Sequence, residues 1–224
     1  MIKCNILFDI NGAPMPPNKV IDEIKEFKEA FKNVSRDIIR GSRVLDEEGK
    51  VFFNCTSRLL PSFGMSRKGP FDNKHREGNL HACWHAIGTD LLELNRFIIS
   101  SGLLRERLLL DIDESVLEDL LSQIWRMTKD ILPISWTENS FGLVGASKVL
   151  FSVFPELVLP VDNVQWNKIF KTVDISDVIH FMAQDIQKWE AKTNLHLNSL
   201  DPTGRLSTLP TVYNVVAMAA RPIG

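Results

Sequence analysis

Cysteine is scarce in this chain. Three residues in 224, Cys4, Cys55 and Cys83, are odd in number and too widely spaced for a disulfide framework or a paired metal motif. They suit buried, reduced thiols, the usage of a cytoplasmic protein. No charge sign dominates either: 26 Lys+Arg stand against 28 Asp+Glu, for a net charge of -2. That balance excludes a global basic field, so any nucleic-acid contact has to come from a local patch. Every apolar run is broken by charge well short of the roughly 18 to 20 residues that cross a bilayer. Asn5 and Asp9 interrupt the first ten residues, which do not read as a signal peptide. The expectation is a soluble, cytoplasmic chain with no membrane partner.

Several sequence signatures are missing as well. The chain has no Gly-x-x-x-x-Gly-Lys-Ser/Thr phosphate loop, no dinucleotide glycine fingerprint after a strand and no Gly-x-Ser-x-Gly nucleophile turn. Strand and helix do not alternate, which disfavours the nucleotide-binding α/β enzymes. No cofactor is called for, and no metal. His81 and His85 are four apart, but no Glu follows His81 and Cys83 between them points elsewhere on a helix. They read as histidines at the edge of the core beside Trp84, and His180 and His196 stand at no recognisable spacing.

What the chain does have is helical periodicity, with 44% hydrophobic residues to fill a core. Val20, Ile24, Phe27, Phe31, Val34 and Ile38 form one stripe, with Asn18 as N-cap and Gly41 as stop. Leu80, Trp84, Ile87, Leu91, Leu94 and Ile98 form a second, ending near Gly102, and this helix is expected to be central. A third follows Asp111 or Ser115, where Ser115-Val-Leu-Glu118 has capping-box form, and closes at Pro133. Shorter helices are expected at about 145–154, 163–171, 175–191 and 210–220. Ile2, Cys4, Ile6 and Phe8 alternate with other residues as a strand would, and Val44-Leu45 with Val51-Phe52-Phe53 suggests a small hairpin. The expected architecture is mainly α. It is a single mostly helical domain over 1–224, with residues 1–17 an extended arm or strand that gives a minor N-terminal β element. Residues 41–79 form an irregular basic loop region.

Within that region Arg58, Arg67, Lys68, Lys74 and Arg76 face only Asp72 in opposition, and Phe63 and Phe71 are interleaved with glycine and proline. Such a loop can follow a phosphate backbone and stack on bases. It can equally be solvated, with its phenylalanines folded back on the core.

The most informative stretch is Gly142-Leu-Val-Gly145-Ala-Ser-Lys148, followed by Phe154-Pro155 and by Pro160-Val-Asp162-Asn163-Val-Gln-Trp166. A glycine-rich bend enters a short apolar helix carrying one lysine, and a proline-bounded segment delivers one aspartate to the next helix. On those residues the segment resembles the helix-hairpin-helix DNA glycosylases, over about 25 residues. Each glycine-to-glycine and glycine-to-lysine step is one residue longer here than in that family. The resemblance implies a helix-hairpin-helix core and DNA as partner. It also implies Lys148 as nucleophile on the sugar carbon, Asp162 as charge partner, and phosphate contacts from the amides near Gly142 and Gly145. Trp136, Trp166 or a phenylalanine of the basic loop would wedge or stack. The Ser-Lys, Phe-Pro and Asp pattern is also similar to uncharacterised bacterial proteins of a related helical type.

The same residues admit a plainer reading. Asp162 with Gln165 has capping-box spacing, and Lys148 can sit on an exposed helix face. Two functions follow for the chain: DNA binding through Arg67, Lys68, Lys74, Arg76, Gly142 and Gly145 with a glycosylase-like site, active or degenerate, or a non-catalytic protein-interaction or small-ligand module.

Overall fold

Pro17 opens the first helix, because its fixed φ and missing N–H suit the first helical position. The computed structural model describes residues 5–26, 44–138, 141–160, 169–172, 174–201 and 208–219. Eight α-helices lie in these segments: α1 (Pro17–Glu26), α2 (Lys50–Ser62), α3 (Arg76–Ser100), α4 (Leu108–Asp111), α5 (Glu114–Ile131), α6 (Leu143–Val153), α7 (Ile175–Thr193) and α8 (Leu209–Ala219). A 3-10 turn spans Leu197–Leu200. The continuation of the first stripe through Ile38 and Gly41, most of the helix expected at 163–171, and Cys4, Asp162, Gln165 and Trp166 lie outside the described residues. No described helix is long and apolar enough to cross a membrane.

Two local expectations, the hairpin and the helix caps, are corrected. Among the described residues the N-terminal β element reduces to an isolated antiparallel bridge between Phe8 and Pro14. Ile6 and Leu7 are both buried, so side chains there do not alternate between core and solvent. In place of the hairpin, Val51-Phe52-Phe53 lie in the first turn of α2 after a turn closed by Gly49 N and the Asp46 carbonyl, so 41–79 is not irregular throughout. Phe52, Thr56, Leu59 and Leu60 are its buried face, at a period no strand has. Its first amides are held by Asp46, whose carboxylate accepts from Lys50 N at 2.8 Å and Val51 N at 2.7 Å. The capping positions also shift: Asn18 falls inside the first turn of α1. Helix α5 starts at Glu114 with Asp113 as its cap position, which puts Ser115 too far into the helix to cap it.

Helices α2, α3, α5 and α6 form a ring in which α2 packs on α3 and α6, and α5 closes it against both. Helix α7 lies on a further side of α5, and α8 joins it to α1. Among the described helices α5 thus packs against three others, α3, α6 and α7. Its buried residues Leu117, Leu120, Leu121, Ile124, Met127 and Ile131 recur at helical spacing and form one broad apolar face. The buried apolar residues of these elements make one connected cluster.

Candidate functional site

The corner between α5 and α6 is built by two glycines. Gly142 takes φ +86° just before α6, and a Cβ there would lie 2.5 Å from the Leu132 carbonyl oxygen and 2.9 Å from Ser135 Oγ. Only glycine fits, on grounds of both conformation and space. The Ser135 hydroxyl donates to the Gly142 carbonyl at 2.7 Å and fixes the corner. One turn later, a Cβ on Gly145 would meet Ser135 Cβ at 2.7 Å and the Phe71 ring at 3.0 Å. Both glycines are buried, and their close packing accounts for them without a phosphate.

Helix α6 is buried on nearly every side, with only Val144 partly accessible. Lys148 therefore has no solvent-facing side of the helix to occupy, and the exposed-face reading is overturned: the residue is 7% exposed. Its Nζ lies 4.9 Å from the centre of the Phe63 ring. Burial brings its pKa down from 10.5 to about 8, because removing water penalises the ammonium form. Among the described residues no carboxylate pairs with it. Roughly one Lys148 in ten is then a neutral amine at pH 7, against about one in three thousand for an ordinary lysine. One turn on, Ser152 Oγ meets Thr56 Oγ1 of α2 at 2.7 Å, and Phe63 meets Phe151 edge-on at 6.4 Å.

Phe63 is also where the basic loop begins, and that loop is a built structure. Asp72 accepts from the amides of Lys74 at 2.9 Å and His75 at 3.0 Å, and meets His75 Nδ1 at 2.8 Å. Arg76 reaches back, donating from Nε to the Phe71 carbonyl at 3.1 Å and from its guanidinium to Asn73 at 2.8 Å. Phe71 is fully buried and Phe63 packs against the core, so neither ring stands out for stacking on bases. Arg67, Lys68 and Lys74 are exposed, and Arg76 is half-buried.

The loop returns toward the α5–α6 corner, where a Cβ on Gly69 would lie 3.9 Å from Thr137 Cγ2. Trp136, beside Thr137, is exposed, and so is Phe141, which the sequence reading did not single out. The signal for it was its place beside the Gly142 turn, where an apolar ring has no helix face to join.

Elsewhere, His81 and His85 are exposed on α3 while Cys83 between them is buried. Among the described residues no group of three His, Cys, Asp or Glu side chains comes together as a metal site. Between α2 and α3 an open groove of about 450 Å³ is lined by Phe53, Asn54, Ser57, Asn73, Arg76, Glu77, Leu80 and His81. Two buried carboxylates are held by structural partners. Glu156 accepts from Arg105 Nε at 3.1 Å. Asp185 accepts through one oxygen from Ile6 N, Leu7 N and the Tyr213 hydroxyl at 2.9, 3.1 and 3.0 Å. No protein-family model, curated protein or solved structure matches this chain.

Proposed function

We propose that the chain is a cytoplasmic DNA-binding protein with a glycosylase-like site, in which the Lys148 amine condenses with a sugar aldehyde. One observation carries this reading: a buried lysine with its pKa lowered to about 8 lies against Phe63, at the root of a loop that exposes Arg67, Lys68 and Lys74. A desolvated lysine is the usual source of an amine nucleophile near neutral pH. The exposed cations supply the local basic patch that the balanced net charge does not.

The chemistry needs no cofactor. The neutral amine adds to C1′ of a ring-opened abasic sugar, and the carbonyl π pair moves to oxygen. Loss of that oxygen as water leaves an imine between Nζ and C1′. On an intact nucleotide the same attack displaces the base from C1′ with the bonding pair. Asp162 supports the cationic intermediate in this scheme on the strength of the resemblance alone. Salt-dependent binding to single-stranded, duplex and abasic-site DNA, with a Lys148→Gln control, tests the reading. Preference for the abasic duplex that disappears in the control supports it, together with affinity that falls steeply with salt. No binding at low salt refutes it.

A second reading, a small-ligand module, is favoured by the groove between α2 and α3. Arg76, Asn54, Ser57, Asn73 and His81 give it hydrogen-bonding walls, with one carboxylate, Glu77, among them. A small anion that raises Tm, an effect lost in His81→Ala, in protein that ignores DNA at low salt would establish it.

A further inference from the structure

We infer that the exposed Trp136–Phe141 pair is a stacking platform for unpaired nucleobases, served by the cations of the adjoining loop; the inference rests on the DNA-binding reading. Among the described residues seven aromatic side chains, Phe52, Phe71, Phe151, Phe154, Phe170, Trp189 and Tyr213, are wholly buried. Trp136 and Phe141 instead leave 53% and 57% of their surface in solvent. Their ring centres are 5.3 Å apart with planes at 67°, so they support each other edge to face and leave ring surface open to a third partner.

Backbone contacts fix the place of Phe141 in the pair. Phe141 adopts φ +49°, a left-handed conformation that a bulky side chain keeps only where its surroundings impose it. Its amide donates to the Thr137 carbonyl at 2.9 Å, and the next residue, Gly142, is wedged against Leu132 and Ser135. An aromatic pair already turned outward offers its faces to a base without leaving the core. Open aromatic faces beside a cationic path for the backbone are what sequence-tolerant single-strand recognition requires.

Charge decides which partner fits. The chain from Phe63, under Lys148, to Gly69, against Thr137, carries Arg67 and Lys68 with both exposed. Glu138, exposed in the aromatic turn itself, disfavours a phosphate on its own flank and leaves the Gly69 side as the approach. A strand whose phosphates follow Arg67 and Lys68 brings its bases toward Trp136 and Phe141. An acidic peptide would meet the same cations but offers no run of flat faces to the rings.

The test compares two labelled oligomers of equal charge by fluorescence anisotropy at fixed salt. One is a twelve-nucleotide thymidine strand, and the other is the same backbone made of tetrahydrofuran residues without bases. The wild type is expected to prefer the thymidine strand by about tenfold or more, the scale of one stacked base. Trp136→Ala/Phe141→Ala is expected to bind both at the base-less level, with an unchanged circular dichroism spectrum. Equal binding of the two oligomers by the wild type overturns the platform and leaves charge-driven DNA binding standing. Binding of neither overturns both. A preference that survives in the double variant also overturns it, by placing the stacking elsewhere.

Discussion

Lys148 and Asp185 are both ionisable and both buried in the core, yet their surroundings differ in kind. Around Asp185 the fold brings two backbone amides from the N-terminal segment and the Tyr213 hydroxyl of α8 to one carboxylate oxygen. The carboxylate ties the N-terminal segment and α8 to α7. Around Lys148 the described residues supply an aromatic ring and no acceptor. A buried charge that serves structure is surrounded by groups that need it. One whose neighbours leave it reactive is a candidate for chemistry.

The two groups also push stability in opposite directions with pH. Burial, opposed by its hydrogen bonds, raises the Asp185 pKa from 3.8 to about 6. Its contribution is then fully present below the unfolded value and lost as pH rises through 6. The lowered pKa of Lys148 acts the other way: its contribution is present above 10.5 and lost as pH falls through about 8. Each window is worth on the order of 3 kcal/mol.

The sharpest break of the comparison is Asp185→Ala. It strands three buried donors and is expected to cost about 3–5 kcal/mol in urea denaturation. Gly142→Ala and Gly145→Ala come next, at about 2–3 kcal/mol each, from strain at φ +86° for the first and collision with Ser135 and Phe71 for the second. If both are tolerated, the glycines are not packing residues. Lys148→Met should reverse the sign and gain about 1–3 kcal/mol at pH 7, since it removes a buried ammonium and keeps the volume. It should also flatten the rise in stability between pH 8 and 10.5, whereas Asp185→Asn should flatten the gain on acidification from pH 7 to 4. The smallest effect is that of Arg67→Ala/Lys68→Ala. Stability should move by no more than about 0.5 kcal/mol, while the slope of log affinity for duplex DNA against log salt falls by about 1–2.

The contrast between the two charges was half legible in the sequence. The stripes that became α3, α5 and α7 stand out because each has a polar side to set off its apolar one. Asp185 lies in the α7 stripe, at helical spacing from Val178, Met182 and Trp189, so a carboxylate on the core face was there to be seen. Helix α2 was hidden by its β-prone Val51-Phe52-Phe53 run beside Gly49. That glycine takes φ +74° and is pressed against Trp84, so it marks a helix start rather than a hairpin turn. The burial of Lys148 was hidden for another reason. An almost wholly apolar helix such as α6 shows no amphipathic period, and only its packing inside the ring of helices reveals that its lysine has no outer face. The phenylalanines of the basic loop are alike in sequence and unlike Trp136 and Phe141 only in where the fold sends them.

Borohydride trapping on abasic-site DNA tests the central claim most directly, because the hydride turns an imine into a stable amine link between protein and strand. The account predicts a covalent complex whose modified peptide carries the sugar on Lys148, a trapping rate that rises toward pH 8 as the amine loses its proton, and no complex in folded Lys148→Gln. A complex of undiminished yield in that variant, or none in the wild type under conditions where it binds the abasic strand, would contradict it.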